Sequence, residues 1–212
     1  MNTIRVLLAD DHEVVRAGYR RLLESTSDIK VIVEASNGEE AYTAYVKHQP
    51  DVVIMDISMP GIGGLEAIIK IRYHDNNARV LVFSVHENEV FLIRALEEGV
   101  LGYITKRSAA KVMIEAVREV AVGKNFIGQE LQPFLIKNTA RKNNPLFESL
   151  SSREFEVFLL LAEGKTVIEV ANLLNLSPKT VGHHNTHLKK KLKITTIAEL
   201  TRLAIREGLL EP

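Results

Sequence analysis

Cysteine is absent from this 212-residue chain. That excludes a disulfide framework, a thiolate zinc site and a cysteine nucleophile. Long hydrophobic runs are also lacking. Apolar stretches such as 158–162 fall well short of the ~18 residues that a membrane-spanning helix needs, so no membrane partner is expected. The apolar run at the N-terminus ends in two acids, Asp10 and Asp11. A secretory segment would be longer and would end in small residues, so a cytoplasmic location is the expectation. There is no excess of either charge, because 27 Lys and Arg balance 27 Asp and Glu. Internal repeats and low-complexity segments are missing as well. What remains is ordinary globular composition, 46% hydrophobic and 25% charged, which excludes disorder as the main state. At ~100–200 residues per domain, the length suits one large domain or two small ones.

The zero net charge hides an asymmetry. Residues 1–122 carry a net charge of −4, while 123–149 and 150–212 each carry +2, with the last excess packed into Lys189, Lys190, Lys191 and Lys193. An acidic front and a locally basic back suggest different partners. The front alternates short apolar runs with helical periodicity. Strands are predicted at 4–9, 31–35, 52–55, 79–84 and 101–104, and helices at 14–23, 38–47, 64–72, 88–98 and 108–122. Five strands alternating with five helices imply βαβ units and a parallel sheet, and the near-continuous apolar strands fit a sheet covered on both faces. The stretch 123–147 reads as a linker with a short helix at 129–136. From 148 to 212 the pattern is all helical. Ser151 and Glu154 form a capping box for a helix at 152–163. Helices follow at 166–174, at 178–192 (opened by Ser177-Pro178) and at 196–207, closed by Gly208.

In an open parallel sheet, ligands sit at the carboxyl ends of the strands. Asp10 and Asp11 follow the first strand and Asp56 follows the third. Three converging carboxylates repel unless a cation joins them, and Mg²⁺ suits oxygen ligands. Asp56 can attack a phosphoryl group and become an acyl phosphate. Ser84 ends the fourth strand and Lys106 follows the fifth. Taken alone, the Asp10-Asp11 pair serves equally well as a helix cap, and Lys106 as a solvated surface lysine. The joint arrangement is harder to obtain as bland surface.

These residues, Asp10-Asp11-His12, Met55-Asp56-Ile57-Ser58-Met59-Pro60-Gly61, Ser84 and Tyr103-Ile104-Thr105-Lys106, resemble the receiver domain of two-component response regulators. The resemblance implies that Asp56 accepts a phosphoryl group from a sensor histidine kinase. It implies that Asp10, Asp11, Asp56 and the Ser58 carbonyl hold Mg²⁺, and that Lys106 pairs with the phosphoryl oxygens. Ser84 and Tyr103 would be the switch residues, with Tyr103 turning inward on activation. Ser58 and His86 would tune the lifetime of the phosphoryl group. The family more often has threonine at the position of Ser84.

The helices at 166–174 and 178–192, joined by a short turn, have helix-turn-helix layout. Val181, Leu188 and Leu192 form one apolar stripe on the second. Lys179, His183, Thr186, Lys189 and Lys190 lie largely off it, a face suited to phosphates and base edges. By spacing alone an ordinary helical hairpin fits as well. The strings Leu150-Ser151-x-Arg153-Glu154, Leu176-Ser177-Pro178-Lys179-Thr180-Val181 and Lys191-Leu192 are similar to the LuxR-type DNA-binding domain of the NarL/FixJ response regulators. Within these, the pattern resembles the GacA/UvrY-like branch, and the sugar-phosphate regulator branch is close at 56–60 and 84–86. The resemblance implies contacts with double-stranded DNA from Lys179, Thr180, Gly182, His183, Thr186, His187, Lys189, Lys190 and Lys191. At Gly182 the family often has a basic residue. Glycine there costs the helix ~1 kcal/mol relative to alanine and removes a contact. His183 and His187 lie one turn apart, but no glutamate follows His183 and no fourth ligand is evident. DNA contact, and packing for His184, are therefore preferred to a metal role.

The resemblance further implies a homodimer on activation through the last helix, at Ile197, Leu200, Thr201 and Ala204. Before activation the receiver would mask the recognition helix or that last helix, with a lock at 139–144. The expected fold is a (βα)5 receiver with a five-stranded parallel sheet (1–122), a linker (123–147) and a four-helix LuxR-type helix-turn-helix domain (148–212). The expected function is phosphorylation-controlled transcription regulation rather than enzymatic turnover. A Mg-dependent phosphoaspartyl hydrolase would want Asp-x-Asp after its first strand. A protein-only adaptor with a degenerate DNA-binding domain has only Gly182 in its favour.

Overall fold

The structure is a computed structural model that describes residues 3–85, 89–108, 110–138, 147, 149–207 and 209–210. His86, Asn88, Gly208 and the stretch 139–144 lie outside the described residues. The chain divides into two compact units, 1–140 and 141–212.

The first unit runs β1 (Ile4–Ala9), α1 (Glu13–Glu24), β2 (Ile29–Ala35), α2 (Gly38–His48), β3 (Val52–Met55), α3 (Gly63–His74), β4 (Val80–Ser84), α4 (Glu89–Glu97), β5 (Gly102–Thr105) and α5 (Ala110–Ala121). Parallel strands need crossovers, and each helix supplies one. The order of these strands in the sheet is β2-β1-β3-β4-β5. Val6, Leu8, Ile54, Leu81, Phe83 and Ile104 pack with Met113, Val117 and Val120 of α5 on one face of the sheet. Leu7, Val53, Met55 and Val82, the alternate residues, are equally buried. This is why the strands read as unbroken apolar runs. Each such side chain contributes roughly 1.5–3 kcal/mol by leaving water.

The sheet has a sixth strand, β6 (Phe126–Ile127), which pairs with β5 at Gly102 and Tyr103. A 3-10 turn (Gln129–Leu131) and α6 (Gln132–Asn138) follow it. The sheet thus has one strand more than the five expected, and it lies in the stretch expected as a linker with a short helix. Two residues carry no readable periodicity, and they pair only because β5 presents an open edge.

The second unit contains α7 (Ser152–Ala162), α8 (Val167–Leu173), α9 (Pro178–Leu192) and α10 (Ile197–Arg206). Capping boxes open three of them, Ser151 with Glu154, Thr166 with Glu169 and Thr196 with Glu199. Ser177 caps α9, with Pro178 in the first turn. Phe147, Phe155 and Phe158 cluster with ring centroids 5.1–6.0 Å apart.

Candidate functional site

The parallel register brings the ends of β1, β3, β4 and β5 to one edge. Ala9 stands opposite Met55, Met55 opposite Val82, and Ser84 opposite Thr105. The residues that follow β1, β3 and β5 therefore converge where the strand order reverses between β1 and β3, the crevice in which open α/β sheets bind ligands. The Asp56 N–H donates to the Ala9 carbonyl at 2.9 Å, which holds the two strand exits side by side. The start of α3 presses close behind. The N–H of Gly64 donates to the Ile57 carbonyl at 2.9 Å, and a Cβ at Gly64 would stand 1.8 Å from the Asp56 carbonyl oxygen. Only glycine lets the helix approach the loop that presents Asp56.

Asp10 and Asp56 are each 1% exposed. The Lys106 Nζ reaches between them, 2.6 Å from Asp10 Oδ2 and 2.7 Å from Asp56 Oδ2. Its own N–H is tied to the Ser84 carbonyl at 2.8 Å. The other Asp56 oxygen, Oδ1, accepts from the Ser58 N–H at 3.1 Å. Burial raises the Asp56 carboxyl above its ordinary value, and the Lys106 charge works against that rise. Burial opposes the Lys106 charge too, but Asp56 and Asp10 outweigh it and hold the ammonium pKa above its usual value.

Asp10, Asp11, His12 and Asp56 each offer a ligand atom within 4.8 Å of the others. Among the described residues this is the one group of three or more His, Cys, Asp or Glu side chains that could hold a metal ion. Three carboxylates face one ammonium, so the pocket keeps an excess of negative charge in hard oxygen donors. That set fits a divalent cation. His12 belongs here although the sequence pattern gave it no role. Its N–H donates to Asp10 Oδ1 at 2.8 Å and its Nδ1 lies 2.8 Å from Asp11 Oδ1. Arg16 was missed too, and donates to the Asp10 carbonyl at 2.6 Å. Ser84 and Tyr103 are fully buried.

The second candidate surface lies on α9. Val181, Leu188 and Leu192 are buried, whereas Lys179, His183, Thr186, His187, Lys190 and Lys191 are exposed. Thr180 sits at the N-terminal turn, where its N–H donates to Ser177 Oγ at 3.0 Å. The His183 and His187 rings lie 4.2 Å apart on the outer face. His184 is half-buried, and burial, followed by the Arg153 charge, lowers its pKa. A Cβ at Gly182 would meet nothing within 4 Å. Two of the lysines are engaged within the unit. The Lys189 Nζ donates to the Thr195 carbonyl at 3.0 Å, and the Lys191 Nζ lies 2.5 Å from the buried carboxylate of Glu154.

Both regions match known families. Residues 6–118 match the response regulator receiver domain, and residues 148–204 match the bacterial regulatory proteins of the luxR family. The chain belongs to the two-component response regulators. Response regulator UvrY of Escherichia coli (strain K12) is 42% identical over 208 residues, covering 97% of this chain and 95% of UvrY. Response regulator GacA of Pseudomonas aeruginosa is 36% identical over 210 residues, covering 98% of each. The solved complex of the response regulator RcsB with DNA superposes with a TM-score of 0.61 at 29% identity, covering 95% of this chain and 97% of RcsB. This response regulator therefore lies close to the UvrY and GacA branch, and it is a DNA-binding protein controlled through aspartate phosphorylation. Receiver domains accept phosphoryl groups and are not enzymes in the classical sense. No helix among the described residues is long and apolar enough to cross a membrane.

The stripe expected to pair two copies needs correction. Leu200 and Ala204 are fully buried, and with Leu203 they pack α10 onto α7. Both leave the candidate dimer surface. Ile197 is 45% exposed. Thr201 is partly exposed, and its hydroxyl donates to the Ala162 carbonyl at 3.1 Å.

Proposed function

We propose that Asp56 is the phosphoryl acceptor of this response regulator, that a sensor histidine kinase is the donor, and that Mg²⁺ is the divalent cation. The observation that carries the reading is the buried Asp56 carboxylate, 2.7 Å from the Lys106 ammonium and within reach of Asp10 and Asp11. In the transfer, an Asp56 carboxylate oxygen forms a bond to phosphorus as the bond between phosphorus and the donor histidine nitrogen breaks, leaving an acyl phosphate. Lys106 follows the charge from the carboxylate to the phosphoryl oxygens, and the Ser84 hydroxyl offers them a hydrogen bond. Ser58 and His86 tune access of the attacking water. Asp10, Asp11, Asp56 and the Ser58 carbonyl would hold Mg²⁺, which supplies neutralisation of charge developing on phosphorus.

The output is α9, with Lys179, His183, Thr186, His187 and Lys190 toward the DNA, and a homodimer forms on activation to span two half-sites. The complex of RcsB with DNA supports this reading. A DNA-binding role agrees with a cytoplasmic location. The test is Asp56→Asn labelled by a small-molecule phosphodonor with Mg²⁺. Acid-labile label should vanish; label of undiminished extent on the variant would overturn the assignment.

A further inference from the structure

Glu130 ties the segment leaving the sheet to the loop that carries Lys106. After β6, the Gly128 N–H donates to the Tyr103 carbonyl at 2.8 Å, and the Leu131 N–H to the Gly128 carbonyl at 2.9 Å. Leu131 is fully buried and anchors the turn. Between these two fixed points Glu130 folds back over β5. Its Oε1 accepts from the Thr105 hydroxyl at 2.8 Å and the Ser108 hydroxyl at 2.7 Å. Thr105 is fully buried at the end of β5. One carboxylate oxygen thus clamps both ends of the turn 105–108, and Lys106 stands inside that turn. Gly128 leaves room for the clamp, because a Cβ there would lie 3.0–3.1 Å from the Glu130 carboxylate atoms. Burial opposes the Glu130 charge, but the hydrogen bonds from Ser108 and Thr105 outweigh it and keep the carboxyl below its ordinary value.

We infer that Glu130 is a positioning residue that couples phosphorylation to the chain leading out of the receiver. The inference rests on Asp56 being the acceptor. A phosphoryl group on Asp56 extends the negative charge outward, so the Lys106 ammonium must re-aim from oxygens now 2.6 and 2.7 Å away. The turn 105–108 follows its lysine, and Glu130 carries that shift into the turn 129–131 and on toward the DNA-binding unit. Coupling of this kind is reciprocal, so the same contact sets where Lys106 stands before transfer. A strand and turn of this kind, with Glu130 merely as a surface brace, would change stability and leave the coupling alone.

The experiment uses the full chain, with a duplex selected by that chain from a random pool. Glu130→Gln keeps the shape and weakens the acceptor, and Ser108→Ala removes one donor from the other side. The unmodified chain, labelled at Asp56 by a small-molecule phosphodonor with Mg²⁺, gains DNA affinity. Both variants should still take label, but their gain should shrink by about fivefold or more, the lower end of the usual coupling between sites. Amides of 126–131 should change their hydrogen exchange on phosphorylation in the unmodified chain and not in the variants. An unaltered affinity gain with unaltered exchange in both variants would overturn the role of Glu130. Label that survives in Asp56→Asn would instead overturn the acceptor assignment, so the two failures are distinguishable.

Discussion

At the scale of single residues, burial and charge separate what a side chain offers from what it is already doing. Asp56 and Lys106 solve one problem together. Either alone would be a costly buried charge, and removing one partner of such a pair costs roughly 3–5 kcal/mol. His184 is a quieter case on α9. Its pKa in the fold lies below the ordinary histidine value because burial and the Arg153 charge disfavour the cation. Between the folded and unfolded pKa values the unfolded chain binds more protons, so stability rises with pH through that window. The contribution is complete above the unfolded value near 6.5 and is lost as pH falls toward the lower folded value. His184→Gln should therefore flatten part of the decline in denaturation midpoint between about pH 7 and 5. Chemical denaturation across that range checks it, and an unchanged slope would show that His184 protonates in the fold without penalty. Asp10, Asp56 and Lys106 were legible only as a set at neighbouring strand ends, since Asp10 taken singly fits a helix cap and Lys106 a surface lysine. Glu130 and Arg16 were not legible, since their partners lie 22–25 and 6 residues away and meet them only through the fold.

At the scale of elements, the helix starts of the second unit were legible in local chemistry. Ser or Thr followed three residues later by Glu pairs two exposed backbone donors without help from tertiary structure. The one-residue offsets at α8 and α10 have a simple cause: Thr166 and Thr196 are the extended caps, not the first helical residues. β6 was illegible because two residues show no period. The lysines of α9 illustrate the same limit. As a run of letters, Lys189, Lys190 and Lys191 look equivalent, yet Lys191 is paired to Glu154, which is only 6% exposed, while Lys190 faces out. Counterion release separates them. Lys190→Gln should lower the log–log salt slope of DNA affinity by about 1. Lys191→Gln should change the slope less and the folding stability more, because it removes the counter-charge of a buried carboxylate that keeps its capping hydrogen bond from the Ser151 N–H. DNA titrations from low to moderate salt, with denaturation of the same variants, check both. Equal slope changes with equal stabilities would mean that Lys191 abandons Glu154 on binding.

At the scale of the whole molecule, the division into an acidic α/β front and a helical back was visible in charge and periodicity, because each unit builds its own core. How two copies meet was not visible. Ile197, Leu200 and Ala204 form one line on a helical wheel, but a wheel does not say which way the line points. A unit of ~70 residues needs most of its apolar groups for itself, and α10 spends Leu200, Leu203 and Ala204 on α7. What remains outside is Ile197, with Thr201 and Ile205 partly exposed at successive turns of the same face. A two-fold contact through this face would set each copy's Ile197–Ile205 line against its mate. Ile197→Asp is the cleaner probe, since Thr201→Asp would also disturb the hydrogen bond to Ala162. The exposed isoleucine can become charged without burying that charge in the fold, but in a symmetric pair each aspartate would meet its own copy across a shared apolar patch. The variant should keep its thermal midpoint and bind a single half-site within about twofold of the unmodified chain, while losing cooperativity on a two-half-site duplex. Leu200→Ala should do the reverse, costing about 2–5 kcal/mol of stability with cooperativity intact while folded. Cooperative binding by Ile197→Asp equal to that of the unmodified chain would move the contact off α10 altogether.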